Sequence, residues 1–418
     1  MTVRTDLRRL FEAAVAAAQP AACLPPALPA PPSGRVVAIG AGKAAAAMAR
    51  AVEDHWPVPP AGLVITRAGH RVPTRFIEVA EAAHPVPDEA GRDAAARIVE
   101  LVENLSSDDL VLCLLSGGGS ALLALPAPGI ALEDKRAVTA ALLRSGASIH
   151  EINCVRKHLS AIKGGRLAEL VRPARLLTLA ISDVAGDDAS VIASGPTVPD
   201  PSTLAEARAV LARYAIVPPD PVARHLADPT HETPKPGDGV FAGTEYRLIA
   251  TPAMALEAAA AQAEAMGYRP LVLGDAIEGE AREMARVMAG IALSVRRHRR
   301  PVAGPAVILS GGEATVTLRG RGRGGPNAEF ALALALALNG ASGIHAIACD
   351  TDGIDGSENN AGAVIGPDTL KRAALLGLDA ATMLADNDSH GFFKTLGDLV
   401  VTGPTQTNVN DFRAIMVE

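Results

Sequence analysis

The chain has 418 residues, a net charge of −7 and a 49% hydrophobic fraction. These values exclude a disordered polymer and a general nucleic-acid binder, whose affinity rests on a basic surface. The length exceeds one typical core, so two domains are expected, and with 3% aromatics the cores must be filled by Ala, Leu and Val.

In chain order, residues 4–18 read as an amphipathic helix and Pro20 to Pro32 as a proline-rich linker. The charged N-terminus lacks the apolar centre of a signal peptide, and no uninterrupted apolar run approaches the roughly 20 residues of a membrane span. Cys23, Cys113, Cys154 and Cys349 show no paired spacing, so free thiols and a cytoplasmic location are expected. Strand-like runs occur at Arg35–Ile39, Gly62–Thr66, Asp109–Leu115, Arg175–Ile181, Arg247–Ala250, Leu271–Leu273, Ala306–Leu309, Ile344–Ala348 and Leu399–Val401. Helical patterns lie between many of them, at 44–53, 88–104, 132–145, 151–171, 203–213, 252–266 and 279–298. This alternation predicts an α/β fold of two domains with mostly parallel sheets, the first Rossmann-like. The Pro-, Asp- and His-rich stretch Val217–Val240 is the expected interdomain segment, giving domains 1–238 and 239–418.

Several loops after strands carry chemistry. Gly40-Ala-Gly42-Lys43-Ala-Ala45 fits the permissive dinucleotide pattern G-x-G-x-x-A, but the second strand ends in Thr66-Arg67, with no acid for a ribose. Lys43 at a helix start suits a bound anion. A lysine turned to solvent explains it equally well. Ser116-Gly117-Gly118-Gly119-Ser120 follows a strand and reads as a phosphate cradle, although it is not a Walker A loop. Asp183, Asp187 and Asp188 follow another strand, and Asp350, Asp352 and Asp355 a third. Such carboxylates hold Mg²⁺ beside a polyphosphate or act as a base, while Asp188 and Asp355 read better as turn or cap residues. Lys157, His158, Lys163 and Arg166 put cations on one stretch, with Lys163 suited to neutralising ligand charge and His158 to a structural role. The loop Gly320–Glu329 carries Arg321 and Arg323 and opens into the apolar helix Phe330–Leu338, an arrangement suited to an anionic small molecule. Leu309-Ser-Gly-Gly-Glu-Ala echoes Leu115-Ser-Gly-Gly-Gly-Ser as a second strand-to-loop turn. Thr405 and Asn408, in the polar terminal run Thr402–Asp411, either line a site or build turns.

Taken together in order, Gly42-Lys43, Leu115–Ser120, Lys157–Arg166, Ser182–Asp188, Ala193-Ser-Gly-Pro-Thr197, Gly322–Glu329, Asp350–Gly356 and Thr402–Asp411 resemble the glycerate 2-kinase family with a C-terminal MOFRL domain, here at about 304–411. The resemblance implies ATP-dependent phosphorylation of D-glycerate at its 2-hydroxyl, a divalent metal such as Mg²⁺, and an active-site cleft between two α/β domains. On that basis Lys43 and Arg323 are expected at the substrate carboxylate or transferring phosphoryl group. Ser116, Gly117, Gly118, Gly119, Ser120 and Lys163 are expected at the ATP phosphates. Asp187 or Asp352 would be the base, and Asp183 or Asp350 the metal ligand. The expected partner is a small hydroxy acid, with no nucleic acid and no membrane; the oligomeric state, a homodimer included, is open.

Two other readings compete. An NAD(P)H-dependent hydroxypyruvate reductase is favoured by the Gly40–Ala45 turn, with Arg67 placed for a 2′-phosphate, but no histidine near a strand end has the carboxylate partner that hydride transfer to a keto acid needs. A carboxylate-binding sensor would need neither the acidic cluster nor the phosphate loop.

Overall fold

The computed structural model describes residues 2–418. The chain forms two compact units, one of residues 20–249 and one of residues 1–19 with 250–418. Each is an α/β structure built on a six-stranded sheet.

In the N-terminal unit the strands are β1 (Val36–Ala41), β2 (Ala61–Arg67), β3 (Ile77–Ala82), β4 (Leu110–Leu115), β5 (Arg175–Ile181) and β6 (Thr244–Ala250). Their order is β3-β2-β1-β4-β5-β6, and β1 to β5 pair in parallel. This is the doubly wound, Rossmann-like order expected from the sequence. Every residue of β4 is buried, as a central parallel strand with both faces covered requires. A second apolar cluster joins the helices Leu132–Ser145, Ile149–His158 and Leu204–Arg213.

The C-terminal unit contains β7 (Arg269–Gly274), a two-residue parallel pair β8 (Gly279–Glu280) and β10 (Ala314–Thr315), β9 (Ala306–Ser310), β11 (Ile344–Asp350), β12 (Gly362–Ile365), β13 (Leu399–Val400) and β14 (Asp411–Val417). The large sheet runs β13-β12-β11-β14-β9-β7. Only β7 and β9 are parallel; the other four pairings are antiparallel, where a mostly parallel sheet was expected. The physical reason is visible at β11 and β12, which are joined by a loop without the crossover helix that a parallel pair needs. The helix Pro326–Leu338 is buried along nearly its whole length, with Phe330, Leu332 and Leu334 in the core.

Two expected boundaries are corrected. The division falls after Ile249, and Val217–Val240 lies inside the N-terminal unit, partly as the helix Asp220–Ala227. The first helix, Val3–Ala17, belongs to the C-terminal unit: it buries Leu7, Leu10 and Phe11, and the Phe11 ring lies 5.9 Å from that of Phe412 on β14. The single helix expected over 151–171 is two, Ile149–His158 and Arg166–Val171, separated by a loop with Gly164 and Gly165 at positive φ.

Candidate active site

In the N-terminal unit the strand order reverses between β1 and β4, the place where α/β sheets bind ligands beyond their carboxyl ends. The loops leaving these two strands interlock. The Lys43 amide donates to Gly117 O at 2.8 Å, and the Ser116 amide to Ala41 O at 3.2 Å. The Ala44 amide donates to Ser116 Oγ at 3.0 Å. A Cβ on Gly42 would lie 2.1 Å from Ser116 Oγ, so only glycine permits this nesting. Gly118 is left-handed, and a Cβ there would meet the His84 imidazole at 3.1 Å and Lys43 Cγ at 3.5 Å. Lys43, His84 and the loop Ser116–Ser120 therefore converge at the end of the sheet. His84 follows β3 and carries no motif that would have singled it out.

Beyond Ser120 the site is lined by a strained segment. Ser120 Oγ lies 2.9 Å from Ser194 Oγ, which in turn reaches Asn153 Oδ1 at 3.4 Å. Ala193 and Ser194 carry φ of 51° and 62°, a costly backbone for residues with a Cβ. The Gly164 and Gly165 amides hold it by donating to Ser194 O and Gly195 O at 3.1 and 2.8 Å. Lys163 is 1% exposed, and its ammonium donates to Ala193 O at 3.4 Å. Burial, reinforced by the charges of Lys135 and Arg156, holds its pKa well below the usual lysine range. Those two cations line the same cavity as Lys163 and Ser120. Their signal in the sequence is a lysine on the apolar stripe Leu132–Val138–Leu142 and an arginine one turn after Ile152.

The acids after β5 divide as their sequence suggests. Asp188 accepts the Ser190 amide at 2.8 Å, a turn role. Asp187 has φ 56°, and its Oδ1 is buried without a hydrogen-bond partner, free to accept from a ligand. Asp183 lies just past the buried Ser182. Lys157 pairs with buried Asp200 at 3.2 Å, and His158 is held between Cys154 O at 2.8 Å and Glu232 at 2.9 Å, the structural role expected of it.

In the C-terminal unit the glycines of Gly320–Gly325 admit neighbouring chain. A Cβ on Gly320 would fall 2.3 Å from Asp386 O, one on Gly322 2.4 Å from Asp388 Cβ and one on Gly324 2.2 Å from Ser389 Oγ. The helix start at Pro326, expected to face an anionic ligand, is instead capped by Asp355, whose two oxygens accept the Asn327 and Ala328 amides at 2.9 and 2.8 Å. Arg323 donates to Glu358 through Nε at 2.9 Å and through a terminal nitrogen at 2.6 Å, with its side chain 68% exposed. His390 stands behind, 3.7 Å from Glu358 and 2.9 Å from Asn360 Oδ1. Asp350 and Asp352 form successive turns, accepting the Asp352 and Ile354 amides at 2.9 and 2.8 Å. Thr405 braces this loop, donating its amide to Asp352 O at 3.0 Å and its hydroxyl to Thr351 O at 2.5 Å. The echo loop after β9 serves the fold: Gly312 O accepts the Asp411 amide at 3.1 Å, and the Ala314 amide donates to Asp411 at 2.8 Å.

Among the described residues no group of three or more His, Cys, Asp or Glu side chains is gathered for a metal. Asp183 and Asp350 belong to different units. Mg²⁺ in nucleotide sites takes one or two carboxylates and draws its other ligands from phosphates and water, so isolated carboxylates fit it. Among the described residues no helix is long and apolar enough to cross a membrane.

Comparison with known proteins gives two family matches, a domain of unknown function (DUF4147) at residues 6–227 and the MOFRL family at residues 306–411. An Agrobacterium vitis protein provisionally named a hydroxypyruvate reductase is 59% identical over 100% of this chain and 95% of its own length. A D-glycerate 2-kinase of Thermotoga maritima is 41% identical over 81% of this chain and 80% of its own. The crystal structure of a glycerate kinase from Thermotoga maritima superposes with a TM-score of 0.90 at 40% identity, covering 98% of each chain.

Proposed function

Because this chain belongs to the glycerate 2-kinase family and ends in that family's MOFRL domain, we propose that it transfers the terminal phosphoryl group of ATP to the 2-hydroxyl of D-glycerate, giving 2-phosphoglycerate. Phosphoryl transfer requires charge neutralisation and positioning more than covalent chemistry. Ser116–Ser120 and Lys163 hold the phosphates. Lys43 and Arg323 serve the glycerate carboxylate or the transferring group. Asp187, with its unpartnered oxygen, or Asp352 accepts the hydroxyl proton. Asp183 or Asp350 would hold Mg²⁺, whose charge would offset that of the phosphates. The expected location is the cytoplasm.

The observation that carries this reading over hydride transfer lies in the Gly40–Ala45 turn. A dinucleotide fold offers the amides of this turn to a pyrophosphate. Here the Lys43 and Ala44 amides already donate to Gly117 O and Ser116 Oγ. The glycines Gly40 and Gly42 are accounted for by close approach to β4 and the Ser116 loop, where a Cβ would lie 2.0 Å from Leu114 O and 2.1 Å from Ser116 Oγ. The reductase name borne by the Agrobacterium relative is therefore not the reading adopted.

The test is a pair of reactions on the purified protein. ADP should form only when D-glycerate, ATP and Mg²⁺ are all present, and hydroxypyruvate should leave NADH and NADPH unoxidised. Oxidation of either nicotinamide without ADP formation would replace the kinase reading with the reductase.

A further inference from the structure

The cavity beside Ser120 holds an arrangement that a protein does not keep for itself. Its volume is about 170 Å³, and Lys135, Arg136, Arg156 and Lys163 all line it, with no carboxylate in the lining. Lys135 is 5% exposed, and its ammonium is buried without a hydrogen-bond partner. A buried charge without a partner is strongly unfavourable, and the other cations facing the same space compound the cost. Burial, with the Arg156 charge adding, brings the Lys135 pKa down to about 7. A polyanion removes the whole penalty at once, because each cation gains a charge-assisted hydrogen bond.

The remaining walls narrow the ligand. Ser120, in the cavity wall, ends the loop whose Gly118 lies against Lys43 at the strand-order reversal. Val86, Leu132 and Leu143 give the cavity an apolar side, as a nucleoside beside its phosphates requires. We propose that this cavity is the polyphosphate subsite of a nucleoside triphosphate, with Lys135 and Arg156 as binding residues alongside Lys163. The inference rests on the kinase reading for the identity of the nucleotide, and on the cavity alone for the polyphosphate chemistry. Inorganic tripolyphosphate carries the same chemistry without the nucleoside, so it separates the two.

The experiment is isothermal titration of the whole protein with ATP, inorganic tripolyphosphate and adenosine, on wild type, Lys135→Met and Arg156→Gln. Lys135→Met keeps the length of the side chain and deletes an uncompensated charge, so the unliganded variant should melt no lower than wild type. Both variants should bind ATP and tripolyphosphate at least tenfold more weakly, with adenosine unchanged. At pH 8 wild-type binding should take up protons, because the anion returns charge to Lys135 and Lys163, both held low by burial, while Arg136 and Arg156 keep theirs; Lys135→Met should take up fewer protons than wild type. ATP affinity within twofold of wild type in both variants would overturn the proposal, as would an equal loss of adenosine binding. The two readings fail separately. Tripolyphosphate bound through Lys135, without phosphorylation of glycerate, removes the kinase and keeps the subsite. Phosphorylation of glycerate with an unaltered KM for ATP in both variants keeps the kinase and removes the subsite.

Discussion

Arg323 donates twice to Glu358 in a largely exposed ion pair, and pairs of that kind contribute at most about 1 kcal/mol. The guanidinium therefore costs little to recruit to a substrate anion. Arg323→Ala should melt within a few degrees of wild type and lose at least about 100-fold in kcat with D-glycerate, the scale of one electrostatic contact to developing charge. Unchanged steady-state kinetics would remove Arg323 from the reaction. Single residues are legible where a strand-end motif frames them: the loops carrying Lys43 and Ser116 meet at the end of the first sheet. Lys135 was not, because on a helix a buried lysine is written like any exposed one, and only its place on an apolar stripe separates it.

At the scale of elements, most apolar runs mark strands, though the four-residue β12 is too short to stand out, while β3 and β14, which carry charges, are not legible. β14 was missed because it is buried throughout yet carries Asp411 and Arg413, which neutralise each other inside the sheet. β3 is not legible because the exposed Glu78 and Glu81 interrupt its apolar residues on both faces. The start of the helix Pro326–Leu338 reads as an anion site, but its amides are taken by the Asp355 carboxyl, which no local motif connects to it. Burial, opposed by the Ala328 and Asn327 amides and reinforced by the Asp411 charge, raises the Asp355 pKa to about 7. A raised carboxyl pKa means that the native state binds the proton more tightly than the unfolded chain. Its contribution is full below about pH 4 and is lost as pH rises through about 7. Asp355→Asn should therefore flatten the fall in stability of the C-terminal unit across that window, read as Tm against pH. A slope identical to wild type would show that Asp355 is ionised throughout.

On the scale of the whole molecule, the C-terminal unit is discontinuous in sequence, and the helix Val3–Ala17 completes it. That helix also donates Arg4 to Asp398 at 2.6 Å, and Thr407 donates to Ala18 O at 2.7 Å just past the helix end. Burying Leu7, Leu10 and Phe11 contributes roughly 5–9 kcal/mol, comparable with the net stability of a domain. A chain beginning at Pro20 should lose amide hydrogen-exchange protection across residues 250–418 while keeping it in β1, β4 and β5. Unaltered protection in 250–418 would mean that the helix is dispensable. The α/β class and the doubly wound first sheet were legible from alternation and strand-end loops. The place of the first helix was not, because an amphipathic helix states only that it covers an apolar surface, not which one. Phosphorus NMR of the mixture after incubation with D-glycerate, ATP and Mg²⁺ separates the two phosphoglycerates. The expected product is 2-phosphoglycerate; 3-phosphoglycerate alone, or no phosphorylated glycerate, would contradict transfer to the 2-hydroxyl.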